Sequence, residues 1–488
     1  MTMNEFLGDP RNLTMLMDYY QLTMSNGYLS HGYKDTIVYF DMFFRKIPDK
    51  GGFAIACGLE AVVKYIENLK FHEEDIEFLR DKKIFSEDFL DYLRNFKFTC
   101  DVWAVPEGTV IFPNEPIITV RGPILEAQLI ETMVLLTINH QSLIATKTNR
   151  IVRAAQGRNI MEFGSRRAQG YDGAIYGARA AYIAGAIGSS NVYTDKEMGI
   201  PAIGTMAHSW VQLFGDEYEA FKAYAETYPD NCTLLVDTYN VLRSGIPNAI
   251  KVSKEVLEPL GKRLKGIRLD SGDMAYLSKE CRRILDEEGL WDCKIVASNS
   301  LDEFIIKDLI SQGAYIDTFG VGERLITSKS EPVFGGVYKL VAVEENGEIA
   351  PRIKLSENVE KVTNPHYKGL WRLYEGKTGK AIADILTLHD ENIDETKPYV
   401  LFDPVFTWKK KVVENFTAKK LQVKIFEKGQ LVYNLPNIEE IKDYCREEVN
   451  SLWDELKRFE NPHNYYVDLS EKLWKIKNDL IEQYRDKI

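Results

Sequence analysis

The sequence lacks the features that mark several large classes of protein. Its six cysteines are scattered at positions 57, 100, 232, 281, 293 and 445, and none forms a Cys-x-x-Cys pair. This spacing argues against a zinc site or a disulfide framework and favours reduced structural thiols in a cytoplasmic protein. Charged residues interrupt every apolar run well before about 18 residues, so no transmembrane helix is expected.

A surplus of positive charge is also missing. The chain carries 61 Lys and Arg against 73 Asp and Glu, which gives a net charge of −12. This balance argues against nucleic acid as the main partner, and an anionic ligand would need a local cluster of arginines. The segment Met1–Phe6 shows no basic region followed by an apolar run, so neither a signal peptide nor a membrane partner is expected.

What the sequence does contain is a regular alternation of apolar runs and helical patterns. Its 488 residues suggest two or three domains with ample core. In the central part the strand-like runs end at Gly164, Thr194, Met206, Asp237, Asp270, Ser298 and Phe319. Strands alternating with helices predict βαβ units and a parallel sheet. Seven or so units indicate an irregular, TIM-like α/β barrel, and an open doubly wound sheet is the alternative.

The remaining segments differ from this series in their patterning. Residues 1–126 predict a mixed N-terminal α/β domain, and residues 127–336 contain the irregular barrel with the candidate active site. Residues 337–435 have the turn signals of an antiparallel, β-rich segment, which we expect to pack on the N-terminal domain and complete it. Residues 436–488 predict a C-terminal extension of amphipathic helices.

Two segments of the predicted barrel combine a strand end with reactive side chains. Residues 159–167 predict a short strand that breaks at Gly164 and presents Arg166 and Arg167 together. Paired arginines can bind phosphate or carboxylate in bidentate fashion. Surface arginines without a ligand are the alternative interpretation.

The second segment, residues 204–210, predicts a strand end that presents Thr205 and His208, with a helix starting at about Ser209. A histidine is a titratable base or nucleophile near neutral pH. Since strand ends of a parallel sheet share one rim, where ligands bind, we expect His208 to lie near the arginines. A helix-capping histidine is the alternative.

Further polar residues follow the later strands. Asp237, Asp270 and Asn299 stand at or just after strand ends, and Gly320 and Gly322 offer a small glycine loop. Turns use Asp freely, so any one of these is weak evidence. Together they suit a phosphate-bearing ligand with a ribose diol, in which backbone N–H groups and arginine hold the phosphates and Asp270 accepts from the hydroxyls. Asp237 is then the candidate carboxylate to orient His208 as a base or phosphate acceptor.

These motifs closely resemble those of the nicotinate phosphoribosyltransferases. The matching stretches run in family order through residues 12–480 and are Asp18–Met24, Glu162–Gly170, Gly204–Ser209, Asp237–Tyr239, Arg268–Asp273, Gly335–Lys339 and Lys361–Pro365. The resemblance implies an N-terminal α/β domain on an irregular α/β barrel, in a homodimer with active sites at the interface.

The resemblance also implies a reaction in NAD salvage. Nicotinate and 5-phosphoribosyl 1-pyrophosphate give nicotinate mononucleotide and pyrophosphate, with ligase-type coupling to ATP hydrolysis. ATP would phosphorylate His208, so this residue becomes a phosphohistidine. Magnesium is expected because ATP and pyrophosphate bind as its complexes, although the sequence does not identify its ligands.

The resemblance further assigns two sets of binding residues. The positions around nicotinate are Tyr20, Phe163, Arg166, Asn191 and Thr205. The positions around phosphoribosyl pyrophosphate are Arg268, Asp270, Asn299, Gly320, Gly322 and Thr363. One departure from the family pattern is Asp195, in the stretch that follows Asn191.

Three competing interpretations remain. Nicotinamide phosphoribosyltransferases resemble this family but have Asp in place of Asn191, and a carboxylate about 4 Å from nicotinate would cost about 1–4 kcal/mol. Neutral Asn191 with Arg166 therefore favours the acid substrate. A nucleotide-sensing protein on the same fold would be expected to lose His208 or its carboxylate, and both are present. A Schiff-base aldolase barrel would need a lysine at a strand end, and none of the predicted strand ends has one.

Overall fold

The computed structural model describes residues 11–356 and 361–485, so Met1–Phe6, on which the signal-peptide expectation depends, lie outside the described residues. The chain divides into two compact units. Unit 1 comprises the described parts of Met1–Leu143 and Val333–Ile488, and unit 2 is Ile144–Pro332. The bounds of the four domains proposed from the sequence stay predictions.

The first part of unit 1 is a mixed α/β segment. Its helices and strands are α1 (Tyr19–Ser30), β1 (Ile37–Phe43), β2 (Ala54–Ile55), α2 (Leu59–Glu67), α3 (Glu73–Asp81), α4 (Glu87–Arg94), β3 (Asp101–Ala104), β4 (Val110–Ile111), β5 (Ile118–Pro123), α5 (Ile124–Leu129) and α6 (Glu131–Ala154), whose last turns belong to unit 2. Side chains of Asp18 and Gln21 form a capping box that starts α1.

Unit 2 alternates strands with helices. Its elements are β6 (Asn159–Glu162), α7 (Tyr171–Ile183), α8 (Val192–Met198), α9 (His208–Phe214), α10 (Glu217–Thr227), β7 (Thr233–Leu235), α11 (Ile246–Val252), β8 (Gly266–Leu269), α12 (Met274–Glu287), β9 (Lys294–Ser298), α13 (Glu303–Ser311), β10 (Thr318–Val321) and α14 (Glu323–Ile326). The five strands form one sheet in the order β6-β10-β9-β8-β7, and all its pairings are parallel.

Single-residue bridges extend this sheet beyond β6. Glu162 pairs with Ser189, and Ser189 pairs in turn with Ala202. The chain then reaches His208, whose ring contacts Thr238 just beyond β7, the strand at the opposite edge. The two ends of the series therefore approach each other, and the predicted irregular α/β barrel is confirmed.

The predicted strand ends agree with the structure to within two residues except at Thr194 and Met206, where the predicted strands are wrong. Thr194 lies inside α8, because Asn191 caps a helix there and overrides the strand propensity of Val192, Tyr193 and Thr194. Before Met206 only Ala202 pairs, so that stretch is a bridge rather than a strand. The last strand continues past Phe319 to Val321, because its pairing with β6 continues to that residue.

The second part of unit 1 is rich in strands. Its elements are β11 (Val337–Glu345), β12 (Glu348–Pro351), β13 (Lys368–Glu375), β14 (Ala381–Leu388), β15 (Tyr399–Phe402), β16 (Lys410–Val413), β17 (Phe416–Lys420), β18 (Val423–Glu427), β19 (Gln430–Leu431), α15 (Ile438–Ser451), β20 (Val467–Leu469) and α16 (Glu471–Tyr484).

This later segment completes the N-terminal sheet. A seven-stranded sheet has the order β12-β11-β1-β5-β3-β18-β19, in which β11 pairs with β1 and β18 with β3, both antiparallel. A second sheet has the order β17-β13-β14-β20. The expectation that the β-rich segment completes the N-terminal domain is confirmed.

Each unit has its own apolar core. In unit 2 the side chains of Phe221, Leu234, Ile267 and Ile295 are fully buried between the sheet and its helices. Burial of such a side chain contributes about 1.5–3 kcal/mol, which fixes the strands and therefore the residues at their ends. All six cysteines are buried and free. Among the described residues no helix is both long and apolar enough to cross a membrane.

Candidate active site

The predicted site residues of unit 2 meet where the parallel strands end, and Arg268 is at the centre of their network. Its Nε donates to Ser298 Oγ (2.8 Å), one terminal nitrogen donates to Thr205 Oγ1 (3.2 Å) and the other to Asp270 Oδ1 (2.9 Å). The side chain is 13% exposed. Because all three nitrogens have protein partners, Arg268 holds its neighbours in place as well as supplying positive charge.

Asp270 and Asp237 follow adjacent strands and are linked through the backbone. Asp270 N–H donates to Asp237 Oδ2 (2.9 Å), and Ser271 Oγ donates to the same oxygen (2.6 Å). Asp270 Oδ1 accepts from Arg268 and Ser298. Asp237 Oδ1 is buried and has no hydrogen-bond partner among the described residues. An unpartnered buried carboxylate oxygen is costly, and such groups concentrate at functional sites.

His208 faces both carboxylates but forms a hydrogen bond with neither. Its Nε2 lies 3.9 Å from Asp237 Oδ1 and 3.8 Å from Asp270 Oδ2, whereas Nδ1 is 3.1 Å from Thr238 Oγ1. The imidazole is 39% exposed, and the Asp237 side chain only 1%. The structure brings Asp237 and His208 together as predicted, but at electrostatic range, so tautomer control by a direct hydrogen bond is not seen.

Phe163 lies between these groups and β10. Its N–H donates to Val321 O (2.8 Å), and its ring centroid is 5.4 Å from the Arg268 guanidinium. A Cβ on Gly320 would lie 2.6 Å from the ring, and one on Gly322 would lie 2.9 Å from Phe163 O. Gly320 is therefore not part of a loop: it lies inside β10, where only glycine leaves room for this ring.

Arg166 and Arg167 occupy a single 3-10 turn, Ser165–Arg167, directly after β6 and Phe163. Both residues are exposed. In the part of the chain that the structure describes, Arg166 has no acidic partner within salt-bridge distance, whereas Arg167 contributes to the electrostatic environment of Glu323. A guanidinium without a carboxylate partner remains available for an anionic ligand.

Hydrogen bonds between buried groups hold the turn at Asn191 in place. Glu162, at the end of β6, is fully buried, and it accepts from Gly164 N–H through Oε1 and from Ser189 Oγ through Oε2 (2.6 Å). Ser189 Oγ in turn accepts from Asn191 N–H (3.0 Å). Burial raises the pKa of the Glu162 carboxyl above its ordinary value, although these hydrogen bonds oppose the shift.

Asn191 itself is the N-cap of α8. Its Oδ1 accepts from Tyr193 N–H (3.1 Å), which leaves the Nδ2 donors for another partner. Asp195, the departure from the family pattern, accepts from Ala202 N–H (3.0 Å). The extra carboxylate therefore ties α8 to the bridge at Ala202 and satisfies a backbone donor there.

The other predicted residues fall outside this network. Asn299 follows β9 with φ 87°, is exposed and accepts from Ser300 Oγ (3.0 Å). Tyr20 and Thr363 belong to unit 1, so their place at this site stays a prediction.

Within unit 1, Tyr20 is 43% exposed and hydrogen-bonds the Glu131 carboxyl. Burial, followed by the charge of Glu131, raises the pKa of the Tyr20 phenol above its ordinary value. Thr363 is 1% exposed, and its hydroxyl accepts from Lys354 N–H (3.1 Å). The hydroxyl of Thr363 therefore already has a backbone partner.

Four polar residues that complete the network had no specific role predicted from the sequence: Thr238, Ser271, Ser298 and Glu162. Thr238 and Ser271 each directly follow a predicted aspartate, and Ser298 ends a predicted strand, so their positions carried a usable signal. Glu162 had no such signal. Its importance follows from its contacts with Gly164 and Ser189, which lie 2 and 27 positions away in the chain.

A magnesium site made of protein ligands alone is not present in the described ranges, where no group of three or more His, Cys, Asp or Glu side chains could hold a metal. Magnesium commonly binds through one or two carboxylates together with substrate phosphates and water. The unpartnered Asp237 Oδ1 and the nearby Asp270 Oδ2 provide donors of this kind. The residues present therefore fit a magnesium ion carried in with phosphates.

Family models cover most of the chain. The nicotinate phosphoribosyltransferase (NAPRTase) N-terminal domain matches residues 15–139, the NAPRTase family model matches residues 158–365, and the C-terminal domain matches residues 367–477.

Individual relatives agree with these models. A nicotinate phosphoribosyltransferase of Bacillus subtilis is 46% identical, over 98% of this chain and 97% of its own. One from Mycobacterium tuberculosis is 40% identical, over 94% and 92%. The crystal structure of human nicotinic acid phosphoribosyltransferase superposes with a TM-score of 0.84 at 30% identity, over 95% of this chain and 99% of its own. The chain therefore belongs to the nicotinate phosphoribosyltransferase family of enzymes.

Proposed function

We propose that the protein converts nicotinate and phosphoribosyl pyrophosphate to nicotinate mononucleotide and pyrophosphate in NAD salvage, with ATP hydrolysed through a phosphohistidine at His208. The observation that carries this proposal is the joint position of His208, Asp237, Asp270 and Arg268 at one end of the parallel sheet. The family membership of the chain supports the same reaction.

In this reaction the pyridine nitrogen attacks the anomeric carbon of the ribose. The carbon–oxygen bond to pyrophosphate breaks, and its electron pair leaves with the pyrophosphate. The protein must therefore align two substrates and stabilise the charge that develops on the leaving group. Neither task requires the protein to form a bond to the sugar.

Arg166 is the proposed partner of the nicotinate carboxylate, because it is exposed and has no salt-bridge partner in the described chain. Phe163 supplies a half-buried aromatic face beside it. Asn191 presents amide donors rather than a carboxylate, so it does not repel the acid substrate. These three features favour nicotinate over nicotinamide, while the contribution of Tyr20 rests on the family resemblance.

Asp270 is the proposed acceptor for the ribose hydroxyls. Its Oδ1 is occupied by Arg268 and Ser298, which fixes the carboxylate and leaves Oδ2 for a ligand. Arg268 then acts on the phosphoribosyl group mainly through its charge and through the orientation of Asp270. Asn299 and Gly322 follow neighbouring strands and are the proposed contacts of the phosphates, together with Thr363 from the family pattern.

ATP enters through a separate event, because the transfer itself needs no nucleophile on the protein. We propose that a ring nitrogen of His208 attacks the γ-phosphorus and that ADP leaves with the electron pair of the broken bond. Asp237 and Asp270 stabilise the positive charge that the imidazole gains, at 3.9 and 3.8 Å from Nε2. Thr238 holds the other ring nitrogen.

Magnesium would be held by Asp237 and Asp270 together with the phosphates of the substrates. When bound, it neutralises phosphate charge and polarises the phosphoryl groups. We also propose a cytoplasmic homodimer with active sites at the subunit interface, on the basis of the family resemblance.

A radiochemical assay with labelled nicotinate or nicotinamide, with and without ATP, tests the proposal. We expect mononucleotide formation from nicotinate, stimulation by ATP, and an acid-labile phosphoenzyme when labelled ATP is supplied. Preference for nicotinamide would contradict the assignment of the substrate. Transfer to nicotinate that ATP does not stimulate would contradict only the proposed role of His208.

A further inference from the structure

We infer that Glu162 is a positioning residue that sets the geometry of the nicotinate site by holding the Arg166 turn and the Asn191 turn at the same time. This inference rests on the proposed function, since it concerns two residues assigned to nicotinate. Glu162 itself is fully buried and does not reach the substrate.

Each carboxylate oxygen of Glu162 serves a different turn. Oε1 accepts from Gly164 N–H, two residues before Arg166 in the chain. Oε2 accepts from Ser189 Oγ at 2.6 Å, and Ser189 Oγ accepts from Asn191 N–H at 3.0 Å. A single side chain therefore connects the Arg166 turn with Ser189, which lies 27 positions after Glu162 in the sequence.

Backbone pairing brings the same segments together. Glu162 N–H donates to Gly188 O (3.0 Å), and Glu162 O accepts from Ser190 N–H (2.8 Å). Glu162 and Ser189 form a parallel bridge, and Ser189 is bridged in turn to Ala202. The carboxylate contacts of Glu162 add to this backbone pairing at the point where both turns begin.

The Arg166 turn also has little room to adjust. A Cβ on Gly164 would lie 2.5 Å from Ile326 Cβ and 2.6 Å from Glu162 Oε1. The backbone of Gly164 is thus enclosed by Ile326 on one side and the Glu162 carboxylate on the other. A change that removes the Oε1 acceptor of Glu162 is therefore transmitted to the turn that carries the arginine.

The direction of the two hydrogen bonds at Glu162 makes the prediction for Glu162→Gln specific. Both contacts on the carboxylate come from donors, and Gly164 N–H cannot act as an acceptor. In Glu162→Gln the amide oxygen should turn to Gly164, which leaves the amide nitrogen facing Ser189 Oγ. The Ser189 hydroxyl then loses its acceptor, so the Asn191 turn should loosen while the Arg166 turn is largely kept.

The test compares three variants and one control variant of the full-length protein in the presence of ATP. For Glu162→Gln we expect the nicotinate KM to rise by about tenfold or more, since a misplacement of about 1 Å can cost about 10²-fold. The KM for phosphoribosyl pyrophosphate should stay within about twofold of its original value. Ser189→Ala removes both hydrogen bonds of the Ser189 hydroxyl, to Glu162 Oε2 and from Asn191 N–H, but keeps the Gly164 contact. It should raise the nicotinate KM in the same way.

The double variant should be no worse than Glu162→Gln alone, because residues in one hydrogen-bond chain are not additive. Glu217→Gln is the matched control. Glu217 is a second buried carboxylate of the same unit, and it accepts from Asn248 Nδ2 (3.0 Å) away from the network. We expect this control to leave both KM values unchanged.

Each outcome of these measurements has a definite consequence for the proposed role of Glu162. An equal rise of both KM values, a loss of thermal stability with unchanged KM, or a Glu217→Gln effect of the same size would overturn the role of Glu162. If Glu162→Gln does not fold, an unchanged nicotinate KM in Ser189→Ala has the same consequence. Failure of the proposed function is distinguished by the unaltered protein, which would then show no transfer to nicotinate at all.

Discussion

Two charged clusters in this molecule each contain an arginine paired with an aspartate, but their hydrogen bonds are completed to different degrees. In unit 1, Arg372 is fully buried and donates to both oxygens of Asp384, to Glu448 Oε2 and to Val110 O, at 2.6–2.8 Å. In unit 2, the strand-end cluster consists of Arg268, Asp270, Asp237 and His208. It leaves Asp237 Oδ1 without a partner and His208 partly exposed.

The difference indicates which cluster stabilises the fold and which one binds ligands. A buried ion pair with every contact satisfied is strongly destabilising to break, although it adds little over an apolar core. Groups that keep unsatisfied hydrogen-bonding capacity reduce stability and are retained where a ligand completes them. Charge alone therefore does not identify a site. Because Glu115 and Glu217 also have a buried carboxylate oxygen without a partner in the described chain, what distinguishes the strand-end cluster is that such an oxygen lies beside a partly exposed histidine.

The largest expected effect concerns His208. His208→Ala should abolish both the phosphoenzyme and nicotinate-dependent ATP hydrolysis, because no other group replaces the phosphate acceptor. A slow transfer without ATP should remain, since Arg166 and the strand-end residues are unchanged. A trap with labelled ATP and an assay of mononucleotide formation measure the two activities. Full ATP stimulation in this variant would show that His208 is structural. The matched control is His31→Ala, which replaces an exposed histidine.

Arg372→Met tests the satisfied cluster. It leaves Asp384 and Glu448 buried without their cation, so the free energy of unfolding should fall by about 3–5 kcal/mol. Denaturant titration measures this loss. At temperatures where the variant is folded, the KM for nicotinate should be unchanged. A selective change in that KM with normal stability would reverse the comparison between the two clusters.

Arg166→Ala should weaken nicotinate binding by about 1.5–3 kcal/mol, the usual contribution of a hydrogen bond to a charged group. Steady-state kinetics at saturating phosphoribosyl pyrophosphate would show this as an increased nicotinate KM. Arg167→Ala removes the same charge from the adjacent position of the turn and should have a smaller effect. Equal effects of the two variants would indicate general attraction instead of a direct pair.

Asp270→Asn should mainly increase the KM for phosphoribosyl pyrophosphate, by about 1.5 kcal/mol or roughly tenfold, since the ribose hydroxyls lose a charged acceptor. Asp273→Asn, at the N-cap of α12 in the same loop, is the control, because asparagine caps a helix as well as aspartate does. A change confined to the KM for nicotinate would be inconsistent with a ribose contact.

The smallest effect on stability is expected for Asp237→Asn, which separates stability from function most clearly. The amide oxygen can still accept from Asp270 N–H and Ser271 Oγ, while the unpartnered buried charge is removed. The free energy of unfolding should stay constant or rise by about 1 kcal/mol, as is common when functional strain is relieved. Phosphoenzyme formation should fall, because the phosphorylated imidazole loses a stabilising charge. Loss of stability without loss of phosphorylation would argue against this account.

Local sequence patterns were enough to predict the fold class and most members of the candidate site. Alternation of apolar runs with helical patterns is a local property, so it predicted the α/β barrel and the β-rich segment that completes the N-terminal sheet. Residues at strand ends are likewise set by position in the chain, which is why the pattern of residues alone places Asp237, Asp270 and Ser298 near His208.

The contacts among these residues are visible only in the folded protein, because each contact joins segments that are distant in the chain. Arg268 uses its nitrogens on Thr205, Asp270 and Ser298, and Asp237 approaches His208 without a hydrogen bond. Gly320 is needed for the Phe163 ring inside a strand rather than for a phosphate loop. The geometry of side chains on neighbouring strands depends jointly on strand register, packing and closure of the sheet. A local sequence pattern does not determine these three properties.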